Sequence, residues 1–172
     1  YMTRELLPYI DKNYRTIASR EGRAITGLSM GGQGAFFLAF RHLDLYGACA
    51  SMSGGVDIQS FPSSWYMESK LGSQAEYPER WEEFCVMNQL YRLKPTSIRI
   101  LFDCGTSDFF YPMNQRLHEQ MVYRRIEHDF ISRPGGHTWD YWTNSIKFQL
   151  VFFDNYFQDM AAAAKKEAEK AK

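Results

Sequence analysis

Gly27-Leu28-Ser29-Met30-Gly31-Gly32 is the stretch whose reading decides the fold. Residues 23–26 ahead of it read as a buried strand. Gly34-Ala35-Phe36-Phe37-Leu38-Ala39-Phe40 behind it is an apolar run long enough for a buried helix. A strand that turns into a helix through Gly-x-Ser-x-Gly is the pattern of a nucleophile elbow. The serine at such a corner is held in a strained conformation so that its hydroxyl clears the sheet. The positions two residues either side are expected to be too crowded for a side chain. The helix that follows aims its free N–H groups and positive dipole end at the place where an oxyanion would form. The pentapeptide alone arises by chance in roughly one chain in twenty of this length, so the weight falls on its flanks and on the rest of the chain.

Outward from the elbow, strand and helix patterns alternate. Residues 3–17 place Leu6, Leu7, Ile10, Tyr14 and Ile17 at helical spacing, with Pro8 in the first turns. After the elbow helix, which runs to about residue 42, residues 46–53 read as a strand of small residues ended by Gly54-Gly55. Residues 56–95 form a long connection rich in Trp, Tyr and Pro, with its clearest helix over 78–93. Residues 97–104 read as a third strand stopping at Gly105, and 112–125 as a helix. Residues 127–132 read as a fourth strand, and 139–157 as a long aromatic helix. Such alternation implies a parallel sheet with right-handed crossovers, hence an α/β architecture. The end, residues 161–172, is an Ala/Lys/Glu tail with helix propensity but no apolar face, hence a solvated helix extension or a frayed end.

Composition narrows the function classes. The 172 residues hold 45% hydrophobic and 16% aromatic residues, enough for one domain with a substantial core. Lys+Arg and Asp+Glu are equal at 20 each, which argues against a nucleic-acid partner. No apolar run reaches about 18 residues, so no membrane span is read. Cys49, Cys85 and Cys104 are widely spaced and odd in number, pointing to buried free thiols and weakly to a reducing compartment. No metal-ligand spacing or nucleotide-binding glycine loop is present, so no metal or cofactor is implied.

Catalytic groups in a parallel sheet collect beyond the carboxyl ends of its strands. Ser29 is at the first such end. Gly105-Thr106-Ser107-Asp108 puts Asp108 beyond the third strand, and Gly135-Gly136-His137 puts His137 beyond the fourth. Serine, acid, histidine is the α/β-hydrolase order. The hydroxyl needs an imidazole to take its proton, and the imidazole needs a carboxylate to fix its tautomer. Asp103 is the rival acid but falls within its strand. His42, His118 and His128 read as structural or solvated.

Taken together, Gly-Leu-Ser-Met-Gly-Gly-Gln-Gly-Ala, Ser-Met-Ser-Gly-Gly, Asp-Cys-Gly-Thr-Ser-Asp-Phe and Gly-Gly-His-Thr-Trp-Asp-Tyr-Trp resemble the putative-esterase (esterase D) family of α/β-hydrolases. That family includes S-formylglutathione hydrolases and tributyrin, acetyl, feruloyl and acetylxylan esterases, together with enterochelin esterases and mycolyltransferases. The resemblance implies Ser29 as nucleophile, Asp108 as acid, His137 as base and the Met30 backbone N–H as an oxyanion donor. Leu28 and Trp139 are candidates for the substrate pocket, with a core role the rival reading for Trp139.

One departure stands out. Family members carry several strands before the elbow, and a loop there supplies the second oxyanion N–H. The expectation is therefore that residues 1–158 are the C-terminal part of an α/β-hydrolase domain whose N-terminal strands are missing, followed by the tail 159–172. Proteolysis and a separate partner chain carrying the other half are both open readings of this, and a homo-oligomer stays open. By itself the piece is expected to be poorly stable and nearly inactive, since one lost oxyanion donor costs ~10²–10³ in rate.

The expected activity is serine-dependent hydrolysis of small acyl or aryl esters, carbohydrate-linked ones included. The same acyl-enzyme would serve an acyltransferase with a sugar or thiol acceptor. A non-catalytic binding module keeping the fold is the third reading, against which the intact Ser29/Asp108/His137 set speaks. The compartment, cytoplasmic or exported, stays open because the chain does not open on methionine.

Overall fold

Ala-Cys-Ala-Ser-Met at residues 48–52 has no bulky side chain until its last position. Such a run suits a strand covered on both faces. In the computed structural model, which describes residues 1–171, these residues form β2 (Ala48–Met52), buried along its whole length. Its neighbours are β1 (Ala24–Ile25) and β3 (Arg99–Gly105), with β4 (Asp129–Arg133) beyond β3. All three pairings are parallel, in the order β1-β2-β3-β4. The sheet and its flanking helices are those of an α/β-hydrolase fold.

The pleat of β3 sorts the layers. Phe102 meets Phe36 edge-on, with ring centroids 5.9 Å apart, and Phe36 stacks on Phe40 of the elbow helix α2 (Met30–Arg41). Ile100, Phe102 and Cys104 share this cluster with Leu117 and Met121 from a later helix, residues 111–123. The alternate position, Asp103, faces the other way and accepts from Ser145 Oγ at 2.8 Å on the last helix, residues 139–170. The elbow helix and the 111–123 helix therefore cover one face, and the last helix covers the other. Phe36, Phe40 and Phe102 are at most 1% exposed, and each such burial contributes roughly 1.5–3 kcal/mol.

Two helices differ from the sequence reading. The first helix does not reach residue 17. A π-helical turn, Met2–Leu6, runs into α1 (Leu7–Asn13), and Tyr14 is already extended. Tyr14 and Ile17 are 62% and 73% exposed, so nothing packs on the face that would have prolonged the helix. The helix expected over 78–93 is broken. The connection holds α3 (Glu68–Leu71) and α4 (Pro78–Phe84), with 3-10 turns at Ile58–Ser60 and Met87–Arg92. Cys85 turns to extended backbone and sets its thiol 3.6 Å from the Val56 carbonyl, while the buried Trp81 donates Nε1–H to Gly72 O at 3.0 Å. These long-range contacts win over helical periodicity.

Between β3 and β4 lies α5 (Tyr111–Tyr123), and after β4 comes α6 (Trp139–Lys170). Of the two readings of the tail, the structure takes the helix extension. The helix runs unbroken into the Ala/Lys/Glu tail as far as Lys170, and residues 161–171 are all exposed. Cys49, Cys85 and Cys104 are free and buried. Burial pushes the Cys85 thiol up to about 11 and the Cys49 and Cys104 thiols higher still, so none is a nucleophile near neutral pH. Among the described residues no helix is long and apolar enough to cross a membrane.

Candidate active site

The elbow is fastened to β2 from both sides. Ser29 N–H donates to Met52 O at 2.8 Å, and Met52 N–H donates to Gly27 O at 2.9 Å. Between them Ser29 sits at φ 54°, ψ −118°, a conformation that costs an L-residue on the order of 1–3 kcal/mol. The two glycines of the motif are not equivalent, which corrects the expectation of crowding on both sides. A Cβ on Gly27 would run into the Gly31 backbone, whereas a Cβ on Gly31 meets nothing within 4 Å. The tight approach is made by one glycine against the other, and only Gly27 lies on its inner side. Met30 opens α2, so its N–H has no acceptor one turn back and points free at the helix N-terminus.

The acid and the base are carried by two loops zipped together. Thr106 N–H donates to Arg133 O and Ser107 N–H to Gly135 O, both at 2.9 Å. The Gly135 carbonyl presses against Gly105 where a Cβ would stand, which is why the strand ends on glycine there. This places the Asp108 loop beside the His137 loop.

Asp108 is oriented before it meets the imidazole. Its side chain is fully buried, and Oδ1 accepts from Phe110 N–H at 2.9 Å. That leaves Oδ2, which stands 2.9 Å from His137 Nδ1. His137 Nε2 stands 2.9 Å from Ser29 Oγ. A carboxylate only accepts, so the Asp108 contact places the proton on Nδ1 and leaves Nε2 as acceptor for the serine hydroxyl. The three residues, up to 108 positions apart in sequence, form one hydrogen-bonded line.

The rival carboxylate is elsewhere. Asp103 lies buried under α6 with Ser145, whose Oγ also accepts from Arg133 at 2.5 Å. Burial pushes the Asp103 carboxyl above its usual range. His118 and His128 lie apart from Ser29, at the other end of the strands, with Nδ1 of the first 2.8 Å from Nε2 of the second. Among the described residues no group of three or more His, Cys, Asp and Glu is arranged to hold a metal.

Residues 1–153 match the family described as Putative esterase. The chain belongs to this family. Among its curated relatives, Esterase MT1326 of Mycobacterium tuberculosis is 40% identical over 156 residues, taking in 77% of this chain and 34% of the relative. S-formylglutathione hydrolase of Arabidopsis thaliana is 28% identical over 113 residues, or 65% of this chain and 38% of that protein. The chain thus spans about a third of the length of these relatives. A solved ferulic acid esterase superposes with a TM-score of 0.76 at 31% identity, covering 91% of this chain and 60% of that one. The S-formylglutathione hydrolase FrmB of Staphylococcus aureus superposes at 0.74 with 22% identity, covering 86% and 60%, and shares the fold.

Within this esterase-family fold the two pocket candidates part ways. Leu28 is half-buried and packs against Met52, Tyr141 and Trp142. Trp139 is 70% exposed, which disposes of the core reading, and meets Trp142 edge-on at 5.3 Å. Sequence reasoning missed Phe109, whose ring lies 4.5 Å from the His137 ring, and Trp142, which meets the same imidazole edge-on at 4.8 Å. Phe109 had a usable signal, an aromatic immediately after the candidate acid. Trp142 had none, since α6 is aromatic throughout.

Proposed function

We propose that the protein hydrolyses small acyl or aryl carboxylic esters, carbohydrate-linked ones included, through an acyl-enzyme formed on Ser29. The observation that carries this reading is the line Asp108–His137–Ser29, with both links at 2.9 Å. His137 Nε2 takes the Ser29 hydroxyl proton as Oγ attacks the ester carbonyl carbon. Negative charge gathers on the carbonyl oxygen, where the Met30 N–H and the start of α2 stabilise it. Asp108 steadies the imidazolium. His137 then gives its proton to the alcohol oxygen, the C–O bond breaks, and the acyl group stays on Ser29. Water, deprotonated by His137, attacks the acyl carbon, and the carboxylic acid leaves.

The family membership supports ester hydrolysis as the chemistry, and the strained Ser29 supports it as the nucleophile. Steady-state hydrolysis of phenyl acetate and ethyl butyrate is the test. The reading predicts measurable turnover, lowered by about 10⁴-fold or more in Ser29→Ala. Turnover that is unchanged in Ser29→Ala would contradict it.

A further inference from the structure

Next to the His137 imidazole the surface is built of aromatic rings, and the mechanism above uses none of them. Phe109 packs against His137 at 4.5 Å between centroids, and Trp65 stacks on Phe109 at 6.2 Å with an interplanar angle of 26°. Phe61 and Phe110 lie beneath, each within 5.4 Å of the Trp65 ring. The lower pair does the packing: Phe110 is buried and Phe61 half-buried. The upper pair stays open, Trp65 being 54% and Phe109 49% exposed. The indole is held there against the backbone's preference. Trp65 and Tyr66 both adopt left-handed conformations, φ 53° and 57°, which two consecutive side-chain-bearing residues rarely do. The turn is closed by Met67 N–H to Ser64 O at 3.1 Å and by Ser69 Oγ to Tyr66 O at 2.7 Å.

We propose that Trp65 and Phe109 form a platform that takes an aromatic ring of the ester and so sets the preference of the site. This rests on the ester-hydrolase reading, because the platform is placed by its contact with the base. Flat aromatic groups gain over saturated ones of equal size because stacking adds to the area buried. The ring belongs either to the acyl part or to the alcohol part of the ester, and the same chemistry serves both.

The test uses pairs matched in size: methyl phenylacetate against methyl cyclohexylacetate for the acyl side, and benzyl acetate against cyclohexylmethyl acetate for the alcohol side. Affinities are measured by NMR titration on the Ser29→Ala protein, so that binding is read without turnover. The aromatic member of one pair is expected to bind about tenfold more tightly. That advantage should vanish in Ser29→Ala/Trp65→Ala and return in Ser29→Ala/Trp65→Phe, which keeps a ring. The pair that responds tells which side of the ester meets the platform. Equal affinities within both pairs, or an advantage that survives Trp65→Ala, would overturn the proposal. Hydrolysis of the same esters by the protein with Ser29 intact separates the two readings. A ring preference in binding without hydrolysis defeats the esterase and leaves the platform, whereas hydrolysis without a preference defeats the platform alone.

Discussion

Trp142 and the His137 imidazole meet at right angles, 4.8 Å between centroids at 88°, and the indole donates Nε1–H to Ser53 Oγ at 3.1 Å. The base is thus fixed by a carboxylate at one nitrogen and by a tethered indole packed against its ring. Trp142→Phe keeps a ring but loses the tether. It is expected to lower kcat about tenfold with little change in KM, because misplacing a catalytic group by a fraction of an ångström weakens the transition state rather than binding. Trp142→Ala should also remove about 3–5 kcal/mol of stability, since the indole is 8% exposed. Steady-state kinetics and urea unfolding read the two effects separately. A fall in KM and kcat together for Trp142→Phe would argue against a positioning role.

Asp108→Asn is expected to leave the fold intact and lower kcat by about 10⁴-fold. The amide retains an oxygen for the Phe110 N–H but presents donor hydrogens to His137, favouring the tautomer that cannot accept the serine proton. Asp103→Asn is the companion variant. Its carboxyl faces Ser145, so kcat should change by less than about threefold. A larger loss of kcat at position 103 than at 108 would reverse the assignment of the acid.

The elbow glycines should separate in the same way. Gly27→Ala forces a methyl group into the Gly31 backbone and is expected to destabilise by several kcal/mol or prevent folding, as overpacking against unyielding backbone does. Gly31→Ala points its methyl into open space within the first turn of α2 and should be neutral or stabilising by up to about 1 kcal/mol. Thermal unfolding of the two variants is the check, and equal losses would contradict the geometry.

The misreading of Gly31 illustrates where sequence reasoning reaches its limit. The order Ser29, Asp108, His137 could be read because it depends on strand ends, and strand ends carry local signals such as Gly105 and Gly135-Gly136. Which of two glycines faces inward depends on how the chain closes on itself, and the pentapeptide does not say. The same holds for Trp65. It belongs to a connection without periodicity, and its nearness to His137 arises only when residues 61 to 66 fold across the 109–110 pair. The extension of α6 into the tail could be read for the opposite reason: the tail has helix propensity and no packing, so propensity alone decides there.

His128 should leave a mark on stability against pH. Burial, together with the adjacent His118, holds its imidazole below the ordinary range. Its Nδ1–H donates to Ile126 O at 2.7 Å, so Nε2 accepts from His118 and the folded state favours the neutral ring. The unfolded chain takes up the proton at about pH 6.5, so this contribution is present above that value and is lost as pH falls through the lower folded value. His128→Phe keeps the stack on Phe102 and cannot titrate. Urea midpoints taken from about pH 8 to about pH 5 should fall less steeply in the variant. Parallel slopes would contradict the assignment.

The central claim is that Ser29 is a nucleophile activated by His137, and covalent trapping reads it most directly. The protein is treated with a fluorophosphonate and its tryptic peptides are weighed. The account predicts a single adduct on Ser29, with labelling slowed by at least about 10³-fold in His137→Ala. A folded protein that takes no label, or one labelled at Ser29 equally fast without His137, would contradict it.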